Sequence, residues 1–180
     1  MHNKAMTALT ASMLVLLLTG VLTMAFTPAN ASGENRTERD VAGLRDIYFA
    51  GGCFWGVEEY FSRIPGVYDV TSGYVNGNTE NPSYQQVCSG ATGHAEAVHV
   101  RYNPAIVSLK TLTEQFFTII DPLSLNRQGN DVGSQYRTGV YFTREEDKAV
   151  IQSVMDEVQK RYSSPLVVEL LPLAAYYRAE

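Results

Sequence analysis

The chain has 180 residues, of which 45% are hydrophobic and 18% are charged. This composition is sufficient for one domain with a hydrophobic core, and it excludes a disordered tail. The net charge of −5, together with basic residues that are scattered rather than clustered, excludes a nucleic-acid partner.

The first 31 residues differ in composition from the rest of the chain. An uncharged apolar run over 11–26 is followed by the small residues Ala29 and Ala31. This order is typical of a secretory signal peptide, which we expect to be cleaved before Ser32. The alternative is an uncleaved membrane anchor, since the run approaches the roughly 20 residues that span a bilayer. We therefore expect a periplasmic or extracellular protein, attached to a membrane only if the segment stays uncleaved.

Polar residues over 32–45 are expected to form a flexible lead-in to a single domain over 46–180. Hydrophobic periodicity predicts the elements of this domain in the following order: strand 46–50, helix 53–64, strand 67–74, strand 95–102, helix 109–120, strand 136–142, helix 144–161 and strand 166–171. This order predicts an α+β two-layer sandwich.

Capping residues begin two of the predicted helices, and long loops separate some of the predicted elements. Ser108 is predicted to cap one helix, and Thr143 and Glu146 are predicted to form a capping box for the next. Long polar loops cover 75–93 and 123–135. The length of the second loop in a compact domain indicates a functional role.

Cys53 follows Gly51 and Gly52 and is predicted to lie at the first turn of the helix over 53–64. Unpaired N–H groups and the positive end of the helix dipole favour a thiolate there. The two glycines permit a tight turn and the close approach of a substrate. In an exported protein, the alternative is a structural disulfide between Cys53 and Cys88.

Two aromatic residues, Phe54 and Trp55, follow this cysteine directly. Phe54 shares helical spacing with Val57 and Phe61, so it belongs either to the core or to the wall of an apolar pocket. Trp55 falls outside that apolar stripe. For Trp55 we therefore favour the pocket.

The strand over 95–102 places a carboxyl group on its more apolar face. Period-two alternation puts Glu96 on the same face as Val98, Val100 and Tyr102. Burial without a cationic partner raises the pKa of a carboxyl group toward neutrality, which a general acid requires. The alternative is that Glu96 lies at the strand end and reaches water.

A zinc site of Cys53, Cys88, His94 and His99 is disfavoured. The two histidines should point to opposite faces of an extended segment, and the spacing lacks paired ligands. The absence of a C-x-x-C motif removes the simplest disulfide-oxidoreductase interpretation. A cysteine-protease dyad of Cys53 with either histidine stays open.

The glycine-rich loop over 129–141 concentrates polar groups that include Asp131 and Tyr136. Tyr84 lies in the other long loop. These two phenols could hydrogen-bond a polar oxygen of a substrate while aromatic walls hold an apolar group. Most of the 11 tyrosines of the chain are expected to pack in an ordinary way.

Several long motifs occur in an ordered arrangement: "GGCFWGVE", "GYVNG", "NPSYQQVCSGATGHAEAV" and "DPLSLNRQGNDVGSQYRTGVYF". Their order and spacing resemble those of the A-type peptide-methionine sulfoxide reductases, over essentially the whole of 46–180. The resemblance implies a ferredoxin-like α+β fold with a mixed sheet, flanking helices and long loops. It also implies reduction of the S epimer of methionine sulfoxide, free or in proteins, and hence repair of oxidised proteins.

The resemblance also implies the roles of individual residues. Cys53 corresponds to the nucleophile that becomes a sulfenic acid, and Glu96 to the acid that protonates the sulfoxide oxygen. The other corresponding residues bind the substrate: Phe54 and Trp55 around its methyl group, Tyr84 and Tyr136 at its oxygen, and Asp131 in the lining of the site. No bound metal or organic cofactor is implied. The implied partners are an external thiol reductant such as thioredoxin and oxidised proteins or free methionine sulfoxide, and we expect a monomer.

Departures from the family pattern are local, except at the end of the sequence. They include Ser83 for the usual threonine and Ile120 where histidine is common. The family typically continues beyond the final "AE", often with a tail that carries resolving cysteines, and we expect this chain to lack that tail. Either the chain is a fragment or an external thiol resolves the sulfenic acid. Cys88 is the internal alternative, for which we favour a buried free thiol.

When the family resemblance is left aside, the residues are also compatible with a function of another class. This alternative is a secreted binding domain held by a Cys53–Cys88 bridge, in which the aromatic residues form a core or a ligand surface. The state of the two thiols discriminates between the two functions.

Overall fold

The computed structural model describes residues 43–180, so the predicted signal peptide and most of the polar lead-in lie outside the described residues. The strands of the described part are β1 Arg45–Gly51, β2 Val67–Val75, β3 Ala95–Tyr102, β4 Arg127–Gln128, β5 Asp131–Val132, β6 Thr138–Phe142, β7 Glu169–Pro172 and β8 Tyr176–Arg178. The helices are α1 Phe54–Ser62, α2 Tyr84–Cys88, α3 Leu109–Ile119 and α4 Glu145–Gln159, with a 3-10 turn at Ser134–Tyr136. None of the helices within 43–180 has the length and apolar character needed to cross a membrane.

Six of these strands form one sheet in the order β7-β6-β1-β3-β2-β8. Neighbouring strands are antiparallel, except for the parallel pair β6 and β7. The sheet is therefore mixed, and the predicted α+β class is confirmed. Strands β4 and β5 form a separate small hairpin.

The main core lies between one face of the sheet and the helices. Phe49 of β1 stacks on Phe61 of α1, with ring centroids 4.7 Å apart, and on Phe116 of α3 at 5.0 Å. All three rings are buried. A fully buried phenylalanine contributes about 1.5–3 kcal/mol to stability, so this stack fixes α1 and α3 against the centre of the sheet.

The sequence predicted several elements within a residue or two of their observed bounds. Strand β3 matches its predicted range, and Ser108 caps α3 by accepting a hydrogen bond from the backbone N–H of Thr111 at 3.0 Å. The predicted alternation of β3 is also confirmed, because Val98 and Val100 belong to the main core while Ala97 packs on the opposite face.

The predicted capping box of Thr143 and Glu146 is wrong. Helix α4 begins at Glu145, and the preceding residue, Arg144, provides no side-chain cap. The physical reason is that the carboxylate of Glu146 is engaged by the guanidinium of Arg144, whose Nε donates to it at 2.6 Å. The acidic residues of the first turn supply the favourable interaction with the helix dipole instead.

Five strands also differ from the prediction. The strand predicted from 136 begins at 138, because residues 134–136 form a 3-10 turn. Strands β4, β5 and β8 were not predicted, since two- and three-residue strands carry too little alternation to be recognised. The last predicted strand is shorter and occupies Glu169–Pro172.

Gly52 joins β1 to α1 in a conformation that requires glycine. Its φ is +89°, and a Cβ atom at this position would lie 2.6 Å from the Cβ of Gln128 in β4. The Gln128 side chain is itself fixed, because it accepts from the Asp121 N–H at 2.8 Å and donates to the Asp121 carbonyl at 2.9 Å. The turn before α1 is therefore packed tightly on the hairpin.

We expect Gly52→Ala to destabilise the protein by roughly 2 kcal/mol or more, because it combines backbone strain at positive φ with a collision against Gln128. Gly56→Ala is the matched control, since Gly56 is exposed within α1 and a Cβ there would have no neighbour within 4 Å. This control should gain up to about 1 kcal/mol from helix propensity. Urea unfolding of both variants measures the difference, and equal stabilities would contradict the packing described here.

Candidate active site

Cys53 is the residue that immediately precedes α1, at its N-cap position. Its backbone is non-helical, with φ −57° and ψ 116°, and its thiol is half-buried and free. The predicted position at the helix start is therefore confirmed. The turn at Gly52 directs the chain from the buried end of β1 into this position.

A buried carboxyl group lies beside the start of α1. Glu96 of β3 is only 1% exposed, so the alternative that it reaches water is wrong. Its Oε2 accepts a hydrogen bond from the backbone N–H of Phe54 at 3.2 Å. Its Oε1 has no hydrogen-bond partner among the residues that the structure describes. One carboxyl oxygen of Glu96 thus holds the start of the helix.

Burial dominates the electrostatics of Glu96 and raises its pKa to about 7. The charge of Asp131 adds to this increase, whereas the hydrogen bond from Phe54 opposes it. A carboxyl group with a pKa near 7 is protonated in a large part of the population at neutral pH, and it can donate a proton.

The two aromatic residues after Cys53 have different environments. Phe54 is 2% exposed and belongs to the main core, whereas Trp55 is 64% exposed. Their rings are 5.6 Å apart, and both stack on Tyr84, at 6.4 Å from Phe54 and 6.2 Å from Trp55. The Phe54 ring is therefore packed in the core, and it also lines an aromatic surface with Trp55 and Tyr84.

Three phenols surround Glu96. The negative charge of Glu96 contributes to a raised pKa for Tyr74, Tyr84 and Tyr136. Burial is the main cause of the raised pKa of Tyr74, which is about 12, and of the raised pKa of Tyr136. For Tyr84 the main cause of the raised pKa is a hydrogen bond with the Cys88 thiol. All three phenols are therefore protonated hydrogen-bond donors at neutral pH.

The structure brings the predicted site residues together around Cys53 and Glu96. Trp55 and Tyr84 lie on the aromatic side. Asp131 and Tyr136 come from the β5 strand and the following turn, and Asp131 acts electrostatically on both Glu96 and Tyr136. The assembly combines a thiol, a buried carboxyl group, phenolic hydroxyl groups and an aromatic surface.

Residues 45–180 match the family model described as peptide methionine sulfoxide reductase. The chain belongs to this family. Its members are oxidoreductases that reduce methionine sulfoxide in proteins, so the predicted family and enzyme class are confirmed.

Named relatives and solved structures match most of the described part of the chain. The MsrA of Clostridium botulinum strain Hall is 53% identical over 137 residues, which is 76% of this chain and 87% of that protein. The crystal structure of reduced Mxr1 from Saccharomyces cerevisiae is 35% identical, with a TM-score of 0.73, and the match covers 77% of this chain and 81% of that one. Mxr1 in complex with Trx2 is 25% identical, with a TM-score of 0.58 and coverage of 76% and 81%.

The structure adds residues to the candidate site that the sequence did not single out. Tyr74 of β2 pairs directly with Glu96 of β3, is 1% exposed, and has a hydroxyl group without a partner in the described part of the chain. The only signal for it was its place in "GYVNG", which does not distinguish it from the other tyrosines. Predicting its role required the β2–β3 register.

His94 is a second buried polar residue near Glu96 along the chain. It is 1% exposed, and neither ring nitrogen has a protein partner within residues 43–180. Its ring lies edge-on to Tyr177, with centroids 5.7 Å apart. Burial, followed by the nearby positive charge of Arg137, lowers the pKa of His94, so the imidazole is neutral near pH 7.

Both cysteines are free thiols in this structure, so it does not support a Cys53–Cys88 staple. Cys88 is half-buried at the end of α2, and its carbonyl accepts a hydrogen bond from Gln135 at 3.4 Å. Over the described ranges, no cluster of three or more His, Cys, Asp or Glu side chains has the arrangement of a metal site.

We expect the stability of the wild-type protein, relative to Glu96→Gln, to fall between pH 5 and pH 8. The raised pKa of about 7 means that the folded state keeps a proton that the unfolded state has released above its ordinary value of 4.5. The loss should approach roughly 3 kcal/mol, at about 1.4 kcal/mol per pKa unit. Urea unfolding at several pH values measures it.

Glu96→Ala is the control for this experiment, because it removes the same titration and also creates a cavity. It should be less stable than Glu96→Gln at every pH, with the same pH dependence relative to wild type. Parallel curves for wild type and both variants would show that Glu96 titrates at its ordinary pKa.

Proposed function

We propose that this methionine sulfoxide reductase acts through a nucleophilic attack by Cys53 and proton donation by Glu96. The observation that carries this proposal is the hydrogen bond from the Phe54 N–H to the Glu96 carboxyl group at 3.2 Å. Phe54 is the residue next to Cys53, so a nearly fully buried acid lies one residue from the thiol. A free carboxyl oxygen and a half-buried thiol are the two groups that the reaction requires.

The proposed step transfers two electrons from the cysteine sulfur to the sulfoxide sulfur. The Cys53 thiolate attacks the sulfoxide sulfur and forms an S–S bond as Glu96 protonates the oxygen. The hydroxyl group then moves to the Cys53 sulfur as the S–O and S–S bonds break, and the electron pair of the S–S bond stays on the methionine sulfur. The products are methionine and a Cys53 sulfenic acid. The step needs no bound cofactor, because the thiol supplies the electrons.

Aromatic and phenolic groups would position the substrate for this attack. We infer that Phe54 and Trp55 contact the methyl group of the sulfoxide, while Tyr84 and Tyr136 donate hydrogen bonds to its oxygen. Support comes from the ring stacking of Tyr84 with both aromatic residues and from the raised phenol pKa values. Asp131 lines the site and favours the protonated form of Glu96. We assign the S epimer from the family resemblance.

We propose that an external dithiol of the thioredoxin type restores Cys53. One thiol condenses with the sulfenic acid to give a mixed disulfide and water, and a second thiol releases Cys53 as the reductant forms its own disulfide. The yeast relative Mxr1 has been crystallised in complex with Trx2, which supports this class of partner. The substrates would be oxidised proteins or free methionine sulfoxide.

Export by the segment over 1–31 is part of the same proposal, as are a periplasmic or extracellular location and a monomeric state. We also propose that the central strands and helices follow a ferredoxin-like two-layer plan. The central order β6-β1-β3-β2, with antiparallel neighbours and helices α1 and α3 in the connections, supports this plan.

Without added reductant, we expect the wild-type protein to form about one methionine per enzyme molecule from an S-sulfoxide, because the reaction ends at the sulfenic acid. Cys53→Ser should form none, and Cys88→Ser should still form one. Rapid quenching with chromatography of methionine measures the yield. Methionine formation by Cys53→Ser would disprove the assignment of the nucleophile.

The ratio of the single-turnover rate constants of wild type and Glu96→Gln should fall as pH rises through about 7, because wild-type Glu96 loses its proton there. Below this pH the ratio should reach about 10² to 10⁴, the usual contribution of a general acid. A ratio that is constant from pH 5 to pH 9 would contradict proton donation by Glu96.

A further inference from the structure

Tyr74 and Glu96 form a directly opposite pair on neighbouring strands of the sheet. Tyr74 of β2 lies across from Glu96 of β3 in the antiparallel register. The side chains of such a pair share one face of the sheet, with Cβ atoms about 4.5–5.5 Å apart. Both side chains are 1% exposed. A phenol and a carboxyl group therefore lie side by side in the interior, where Tyr74 belongs to the main core.

The hydroxyl group of Tyr74 makes no hydrogen bond within the fold of residues 43–180. In this range it is the one tyrosine hydroxyl that is buried without a partner. Tyr141 is also fully buried, but its hydroxyl group donates to Glu169 at 2.6 Å. Burial of an unpaired hydroxyl group lowers stability, and a phenylalanine would fill the same space without that loss. Packing alone therefore does not explain a tyrosine at this position.

Phe54 shows which oxygen of Glu96 the Tyr74 hydroxyl can serve. The Phe54 N–H donates to Oε2 of Glu96 at 3.2 Å, and the Phe54 ring lies 5.8 Å from that of Tyr74. Oε1 has no partner in the described part of the chain. Because Oε2 accepts from the N–H, the proton of the neutral acid belongs on Oε1. Oε1 is therefore the oxygen that gives up the proton and then needs a donor.

We propose that Tyr74 is a positioning residue for proton donation by Glu96, and that its hydroxyl group donates a hydrogen bond to Oε1 as this oxygen loses its proton. This inference rests on the proposed function and adds a residue to it. The carboxylate that remains is buried, and a buried charge requires hydrogen-bond donors. A donor already in place where charge develops lowers the barrier of the reaction.

Tyr74 keeps its own proton during this step. Burial raises the pKa of Tyr74 to about 12, so the phenol acts as a donor and not as an acid. Glu96 transfers one proton to the sulfoxide oxygen and becomes a carboxylate. The proton that the second thiol of the reductant releases then restores the neutral acid. The hydrogen bond from Tyr74 therefore changes neither the atoms nor the electrons of the proposed reaction.

The test removes one oxygen atom, in Tyr74→Phe. We expect its single-turnover rate constant with an S-sulfoxide to fall about tenfold at pH 6, because a hydrogen bond to a developing charge is lost. The substrate concentration that gives half of the maximal rate should stay the same, because Tyr74 acts through Glu96. The loss should shrink above pH 8, because without this donor Glu96 keeps its proton to higher pH. The other titratable groups that act on Glu96 or respond to its charge remain in the variant: Tyr84, Asp131 and Tyr136.

Tyr141→Phe is the matched control, because it removes the hydroxyl group of a buried tyrosine on the opposite face of the sheet. It should lose stability together with its hydrogen bond to Glu169, and it should keep the wild-type rate. In urea unfolding at pH 6, Tyr74→Phe should be at least as stable as the wild type. A wild-type rate in Tyr74→Phe, or a loss of rate that is equal at every pH, would overturn the inference.

The pairing can also be measured without catalysis, by ¹³C NMR of protein labelled at the glutamate carboxyl carbons. The Glu96 signal is identified by its absence in Glu96→Gln. Tyr74→Phe should raise the pH midpoint of this signal by about one pH unit, whereas Tyr141→Phe should leave it unchanged. If the wild type reduces no sulfoxide but the midpoint moves, the proposed function fails and the pairing of Tyr74 with Glu96 stands. If the wild type is active but Tyr74→Phe changes neither rate nor midpoint, only the pairing fails.

Discussion

The site depends on one hydrogen bond, between the backbone N–H of Phe54 and the carboxyl group of Glu96. It joins the first turn of α1 to the middle of the sheet at a point where water is excluded. The peptide N–H satisfies one carboxyl oxygen of Glu96. This hydrogen bond lowers the pKa of Glu96 by less than burial raises it, so the carboxyl group can remain neutral in the interior. The same hydrogen bond fixes the position of Cys53, because the backbone carbonyl of Cys53 is bonded covalently to the Phe54 nitrogen that donates the hydrogen bond.

The sequence allowed the elements that form this contact to be predicted, since each carries a strong local signal. The helical spacing of Phe54, Val57 and Phe61 and the alternation around Glu96 both depend on burial of one face, and that burial is what the structure contains. The positions of Trp55 and Tyr84 relative to each other were harder to predict from the sequence. They depend on how a five-residue helix in a long loop packs on α1, and no periodic pattern encodes that packing.

Other features could not be inferred because they arise from pairings between distant segments. The role of Tyr74 depends on its register opposite Glu96, and strand β8 exists because residues far along the chain return to the edge of β2. The contact between Gly52 and Gln128 likewise joins the turn before Cys53 to a two-residue strand. Conversely, a local rule failed at Glu146, where an ion pair with Arg144 replaced the predicted capping interaction.

Several buried polar atoms around Glu96 have no protein partner in the described region, among them the Tyr74 hydroxyl, both nitrogens of His94 and one oxygen of Glu96. Each such atom lowers stability by about 1–3 kcal/mol unless a ligand or water compensates. This polar cluster therefore stabilises the fold less than apolar side chains of the same size would, unless water or a ligand is bound there. Selection of variants for heat resistance alone would be expected to replace these polar groups with apolar ones, and any function that depends on them would be lost.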